Sequence, residues 1–194
     1  IRGDAMQNAV PKGEGGMLAV LGSTVNQIEK ILKDNQNSFI AQIANDNSEG
    51  QIVLSGKNDD LNKLIEVLKT NGIKNIKLSV SAPFHCQLMK KATDIMNDEI
   101  KKVEFKDPNN ILISNVTANE MKKTSEIKDL LIQNLESRVR WRESVLFMIS
   151  KGVDYFIEIG PGKVLSGLIK RINKDVKVSA INNEEDISRI DIND

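Results

Sequence analysis

The chain has 194 residues, enough for one large domain or for one domain carrying a small insert. Apolar residues make up 40% and charged residues 28%, and 27 Lys+Arg balance 27 Asp+Glu, so no global charge favours nucleic acid or an anionic membrane surface. No apolar run approaches the roughly 20 residues that cross a bilayer, and one histidine with one cysteine excludes an internal disulfide framework and a Cys/His metal site. A single cysteine fits a reducing, cytoplasmic setting. The first residues, Ile1-Arg2-Gly3-Asp4, are already polar and unlike a signal peptide. With no initiating Met, the chain is expected to begin inside a longer protein.

In chain order, residues 2–9 read as a short helix with Met6 and Ala9 on one side, and the Pro and Gly of 10–16 read as a loop. Those glycines meet neither dinucleotide nor Walker spacing. Residues 17–21 form a candidate buried strand. Thr24 then caps a helix to about Asp34, with Val25, Ile28, Ile31 and Leu32 on one face. Residues 39–44 and 51–56 read as strands, separated by a turn over 45–50 that is rich in Asn, Asp and Gly. Asp59 or Asp60 is the expected cap of a helix carrying Leu61, Leu64, Ile65 and Leu68, which Asn71-Gly72 ends. Residues 76–80 complete the order βαββαβ across 16–80. That order predicts a ferredoxin-like lobe.

Beyond it, the spacing predicts a helix from Leu88 to about Lys102 and strand-like segments at 103–105 and 111–115. Ser125 is expected to cap a helix to about Leu135, and a further helix spans 141–150 with Trp141, Val145, Met148 and Ile149 inward. A buried strand at 155–159, a Gly-Pro-Gly turn, a helix over 164–172, a strand over 176–181 and a loosely held acidic tail from Asn182 finish the chain.

The chemistry concentrates in Ser81-Ala82-Pro83-Phe84-His85-Cys86-Gln87-Leu88-Met89, between a strand end and a helix start. His85 titrates nearest neutrality and is the candidate general base. From position alone, a structural histidine that caps the next helix is equally open. Cys86 reads as a small buried filler, because neighbours in a turn point apart. The nucleophile elbow Gly-x-Ser-x-Gly is absent from these residues. Gly160-Pro161-Gly162-Lys163 reads as a tight turn, since the Ser/Thr of a phosphate loop is missing.

Several segments, taken in order, resemble the malonyl-CoA:acyl carrier protein transacylase family of fatty-acid synthesis. They are Arg2-Gly3-x-x-Met6-Gln7-x-Ala9-Val10-Pro11, Asn45-Asp46-Asn47 with Gly50-Gln51-Ile52-Val53-Leu54-Ser55-Gly56, the His85 stretch, and Asn115-Val116-Thr117-Ala118. Arg138-Val139-Arg140-Trp141-Arg142-Glu143-Ser144-Val145 and Glu158-Ile159-Gly160-Pro161-Gly162-Lys163-Val164-Leu165 complete the set. The resemblance implies an α/β-hydrolase-like acyltransferase core, partial here, formed by 1–15 and 81–194, with the ferredoxin-like βαββαβ subdomain of 16–80 inserted.

It also implies an acyltransferase that moves malonyl from malonyl-CoA to the phosphopantetheine thiol of acyl carrier protein through a serine ester, with no cofactor, metal, nucleic acid or membrane. His85 matches the general base and Arg2 the clamp for the malonyl carboxylate. A guanidinium fork binds a carboxylate through two parallel hydrogen bonds. Met6 and Phe84 fall at the acyl-binding positions, although Phe84 also reads as plain core packing. Asn134 falls where the family uses a main-chain carbonyl, commonly at a Gln, to orient the histidine. Asn45 and Asn47 fall where members contact coenzyme A, and equally read as turn formers. The family's elbow serine lies ahead of the matching Arg, so the chain is expected to be a C-terminal portion, inactive by itself. The alternatives are a non-catalytic module that binds the carrier protein and a thioesterase of similar core. A carboxylate clamp argues against the thioesterase.

Overall fold

The computed structural model describes residues 1–188 and 190. Helix α1 (Arg2–Gln7) precedes strand β1 (Gly15–Leu21), helix α2 (Val25–Asp34), strands β2 (Ala41–Ser48) and β3 (Gln51–Lys57), helix α3 (Asn58–Thr70) and strand β4 (Lys74–Lys77). The four strands form one antiparallel sheet in the order β2-β3-β1-β4. One sheet face and helices α2 and α3 enclose a core of Leu18, Val20, Ile28, Ile52, Leu54 and Leu64, all at most 1% exposed. Burying each such side chain contributes about 1.5–3 kcal/mol. The other face carries Met17, Ala44 and Val53, against which Leu78 and Phe84 pack. The His85 loop is therefore seated on the sheet.

Local chemistry explains most boundaries. Thr24 is the N-cap of α2, its hydroxyl accepting from Gln27 N at 3.3 Å. Gly72, at φ 69°, takes the left-handed conformation that follows the Asn71 cap of α3. Three expectations shift. The turn expected over 45–50 is strand as far as Ser48, because Asn45 and Asp46 pair with Val53 and Ile52, and only Glu49-Gly50 turns. Register breaks between Ile43 and Asn45, and between Asp46 and Ser48, absorb the irregular residues. Neither Asp59 nor Asp60 caps α3: its N-cap is Lys57, and the two acids lie in the first turn. Asn58 reaches back instead, donating to Gly13 O at 2.7 Å and Gly15 O at 3.2 Å. Strand β4 pairs with β1 through Lys74–Lys77, earlier than expected.

After His85 a short 3-10 turn (Gln87–Met89) leads into α4 (Lys90–Lys101). Residues 103–105 form no strand. The short β5 (Leu112–Ile113) pairs with an unforeseen β6 (Glu120–Met121). Helix α5 (Thr124–Gln133) starts one residue before the expected Ser125 cap. Its first residue is tied to Asp107, which accepts from Thr124 N at 3.1 Å. Helix α6 (Trp141–Ser150), strand β7 (Tyr155–Ile159), helix α7 (Val164–Ile172) and strand β8 (Lys177–Ile181) follow, with β7 and β8 parallel. Val145, Phe156, Ile169 and Val176 make their shared core. Strand β7 is less buried than its composition suggests, since Ile157 and Ile159 are exposed. The acidic tail contains a four-residue helix, α8 (Glu184–Ile187), and the rest of that expectation falls largely outside the described residues.

The sheet and the helical remainder are joined by main chain as well as by packing. Val139 N donates to Ala44 O at 2.7 Å, and Asp46 N donates to Val139 O at 2.9 Å, so 139 extends the free edge of β2. Beside this seam Asp46, 1% exposed, accepts from Arg142 Nε and Nη2 at 2.8–3.1 Å. Glu143 accepts from Arg140 and from Arg138, and Arg138 also reaches Glu29 on α2 at 3.1 Å. None of the described helices is long and apolar enough to cross a membrane.

Candidate active site

The loop that carries His85 is pinned from both sides. Ser55 Oγ on β3 donates to Phe84 O at 2.6 Å, and Gln42 Oε1 on β2 accepts from Gln87 N at 2.7 Å. Between these anchors His85 has φ 58°, a left-handed conformation that a non-glycine side chain enters at a cost. Pro83, with its fixed φ and no N–H, suits a break in the strand here, but nothing in the sequence marks Ser55 or Gln42 as the anchors.

His85 Nδ1 lies 2.7 Å from the main-chain carbonyl of Asn134, the residue that ends α5. A carbonyl only accepts, so Nδ1 carries the proton and Nε2 keeps its lone pair. Burial pushes the imidazole below its ordinary pKa. The Asn134 hydrogen bond opposes that shift, and the Arg2 charge adds to it. The ring is therefore neutral near pH 7, the form a general base requires. His85 borders an open groove of about 430 Å³, shared with Gln42, Glu29, Glu136 and Arg138.

Arg2 stands in the first turn of α1, and its Nη2 donates to Asn134 Oδ1 at 3.1 Å. Helix α1 is held by Ala5 and Met6, which pack on Met89, Ala92 and Leu135. Gln7 Nε2 adds a 2.6 Å bond to Ser81 Oγ. The three residues Arg2, His85 and Asn134, far apart in sequence, are thus brought together. Met6 is 4% exposed and sits within that small core, whereas Phe84 is half-buried and bridges it to the sheet. Asn45 lies on β2 opposite Val53 and next to Val139. Asn47 lies at the register break, and both are half-buried. Cys86 is 1% exposed, and burial pushes its thiol up to about 11, which leaves it protonated and inert.

Residues 1–189 match the family model of the acyl transferase domain. Over 188 residues the chain is 43% identical to the malonyl CoA-acyl carrier protein transacylase of Bacillus subtilis (strain 168), covering 96% of this chain and 59% of that protein. The crystal structure of the Clostridium perfringens malonyl CoA-acyl carrier protein transacylase superimposes with a TM-score of 0.92 at 41% identity, covering 97% of this chain and 60% of that one. A malonyl-transacylase solved in complex with a type II PKS acyl-carrier protein superimposes at 0.90 with 34% identity, covering 96% and 61%. The chain spans about three-fifths of the length of the curated relatives it matches.

Proposed function

The chain belongs to the acyl transferase domain family, and from that premise we propose that it serves the transfer of malonyl from malonyl-CoA to the phosphopantetheine thiol of an acyl carrier protein. The observation that carries this reading is the meeting on Asn134 of a neutral imidazole and a guanidinium, at 2.7 Å and 3.1 Å. A base beside a fixed cation suits an acyl group that ends in a free carboxylate.

In this reading His85 Nε2 takes the proton of a serine hydroxyl as the oxygen attacks the malonyl thioester. It returns that proton to the departing thiolate of coenzyme A. In the second half-reaction it takes the proton of the phosphopantetheine thiol, whose sulfur attacks the malonyl ester, and gives it back to the serine oxygen. The kinetics are ping-pong. Arg2 holds the distal carboxylate, and an acetyl group, lacking one, leaves the guanidinium unpaired. Met6 and Phe84 shape the acyl end of the site, and Asn45 and Asn47 contact coenzyme A. No cofactor is needed, and the setting we assign is the cytoplasm.

We assign residues 16–80 to a ferredoxin-like subdomain, inserted in a hydrolase-like core that includes 1–15 and 81–194. Support comes from the strand order β2-β3-β1-β4 and the parallel β7–β8 pair. The 194 residues contain no Gly-x-Ser-x-Gly, and in this reading the attacking serine lies in the segment that the resemblance places ahead of Arg2.

The test restores that segment and measures malonyl transfer. His85→Ala is expected to lose transfer by at least about a hundredfold. Arg2→Ala is expected to lose the preference for malonyl over acetyl. Full activity of His85→Ala would end the reading.

A further inference from the structure

Asn134 offers two different carbonyls to two different partners. Its main-chain oxygen accepts from His85 Nδ1 at 2.7 Å, and its side-chain oxygen accepts from Arg2 Nη2 at 3.1 Å. Turning the amide over would set Nδ2 against the guanidinium, donor against donor, so Oδ1 is the atom that meets Arg2. We propose that Asn134 is a positioning residue for acyl selection: through its two carbonyls it fixes the spacing between base and carboxylate clamp.

The inference rests on the transfer reading above and extends it to a side chain for which that reading assigned only the backbone. Guanidinium geometry gives it content. Among the described residues, the bond to Asn134 is the only side-chain hydrogen bond of Arg2. Nη2 has two hydrogens, one in each of the two forks that Arg presents to a carboxylate. Committing one hydrogen to Asn134 leaves one complete fork open, and the Asn134 contact decides which. Arg2 is exposed and lies in a six-residue helix with no side-chain N-cap bond, so without this contact the fork is free to swing. An immobilised fork binds a carboxylate with less entropic cost and holds the acyl carbon where His85 serves its attacker. Asn134 Nδ2 is buried and without a hydrogen-bond partner among the described residues, so packing holds the amide in place and the bond to Arg2 is the one side-chain hydrogen bond it makes there.

The decisive variant is Asn134→Ala, which deletes the side-chain carbonyl and keeps the main-chain one. In the enzyme with its serine segment restored, kcat/KM for malonyl-CoA is expected to fall about tenfold, mostly through KM, as for loss of one hydrogen bond to a charged group. Acetyl transfer is expected to stay within about twofold, and Asn134→Gln to recover the malonyl preference. In the 194-residue chain, whose only histidine gives one set of imidazole signals, nitrogen NMR is expected to show the Nδ1–H tautomer in wild type and in Asn134→Ala alike. Asn134→Ser, too short to reach Arg2, replaces the Ala variant should that one fail to fold. The proposal is overturned if the variants keep the malonyl-to-acetyl ratio while Arg2→Ala collapses it. It is overturned equally if both substrates fall together and the tautomer is lost, since the side chain is then structural only. If Arg2→Ala also leaves the ratio unchanged, the carboxylate assignment itself is wrong.

Discussion

His85 combines a left-handed backbone, a half-buried ring and a carbonyl that dictates its tautomer. The backbone alone makes a measurable claim. Glycine enters φ 58° freely, whereas alanine is penalised there as histidine is. His85→Gly is therefore expected to be more stable to urea than His85→Ala, by about 1 kcal/mol. Equal midpoints would mean the loop is not held in this conformation. The ring makes a second claim. Its folded pKa lies below the ordinary value, so between that ordinary value and the folded one the unfolded chain binds more protons. Its contribution to stability is full above about pH 6.5 and is lost as pH falls through the folded pKa. Urea titrations of wild type and His85→Gln across pH 7 to 5 read this difference. A parallel fall in both proteins would contradict it.

At the scale of elements, the ion pair between Asp46 and Arg142 fastens β2 to α6. Removing one partner of a fully buried pair costs about 3–5 kcal/mol; Arg142 is partly exposed, so Asp46→Ala is expected to cost nearer 2 kcal/mol in urea denaturation. Asp46→Met with Arg142→Leu is expected to recover most of it. A double variant as weak as the single would place the stabilisation elsewhere. Asp46 also shows where sequence reading stops. Asn45, Asp46 and Asn47 are turn formers by local chemistry, and only the pairing with β3 and the reach of Arg142 turn them into strand. The helices α6 and α7 were legible to the residue because their apolar spacing is local. The caps expected at Asp59 and Ser125 failed for the opposite reason: several polar residues stand at each helix start, and distant partners choose among them. His85 and Arg2 were legible as residue types in matching motifs. The resemblance also put the Asn134 carbonyl against His85, but the contact of Arg2 with the Asn134 side chain was not legible, because it needs α5 to end against α1, across 132 positions of chain.

For the molecule as a whole, the described surface is uneven. The parallel pair β7–β8 has only two strands, and parallel sheets are ordinarily covered on both faces. Here Ile159, at the end of β7, is 79% exposed and Val164, at the start of α7, is 71% exposed. This end of the chain is expected to drive self-association. Light scattering of Ile159→Lys at matched concentration is expected to fall well below that of wild type. Unchanged scattering would move the sticky surface elsewhere.

The seam at Val139 carries one more consequence. The residue that extends β2 follows closely on the one whose carbonyl steadies His85, so the ring's alignment is mortgaged to the integrity of a sheet it does not belong to. In the proposed transfer, loosening the small sheet, by heat or by a poorly packed substitution beneath α2, is expected to slacken the imidazole's alignment through this seam and through the anchors Ser55 and Gln42. On that reading, substitutions at the buried Leu18 and Ile28 are expected to lower the rate of the complete enzyme although neither residue touches the site.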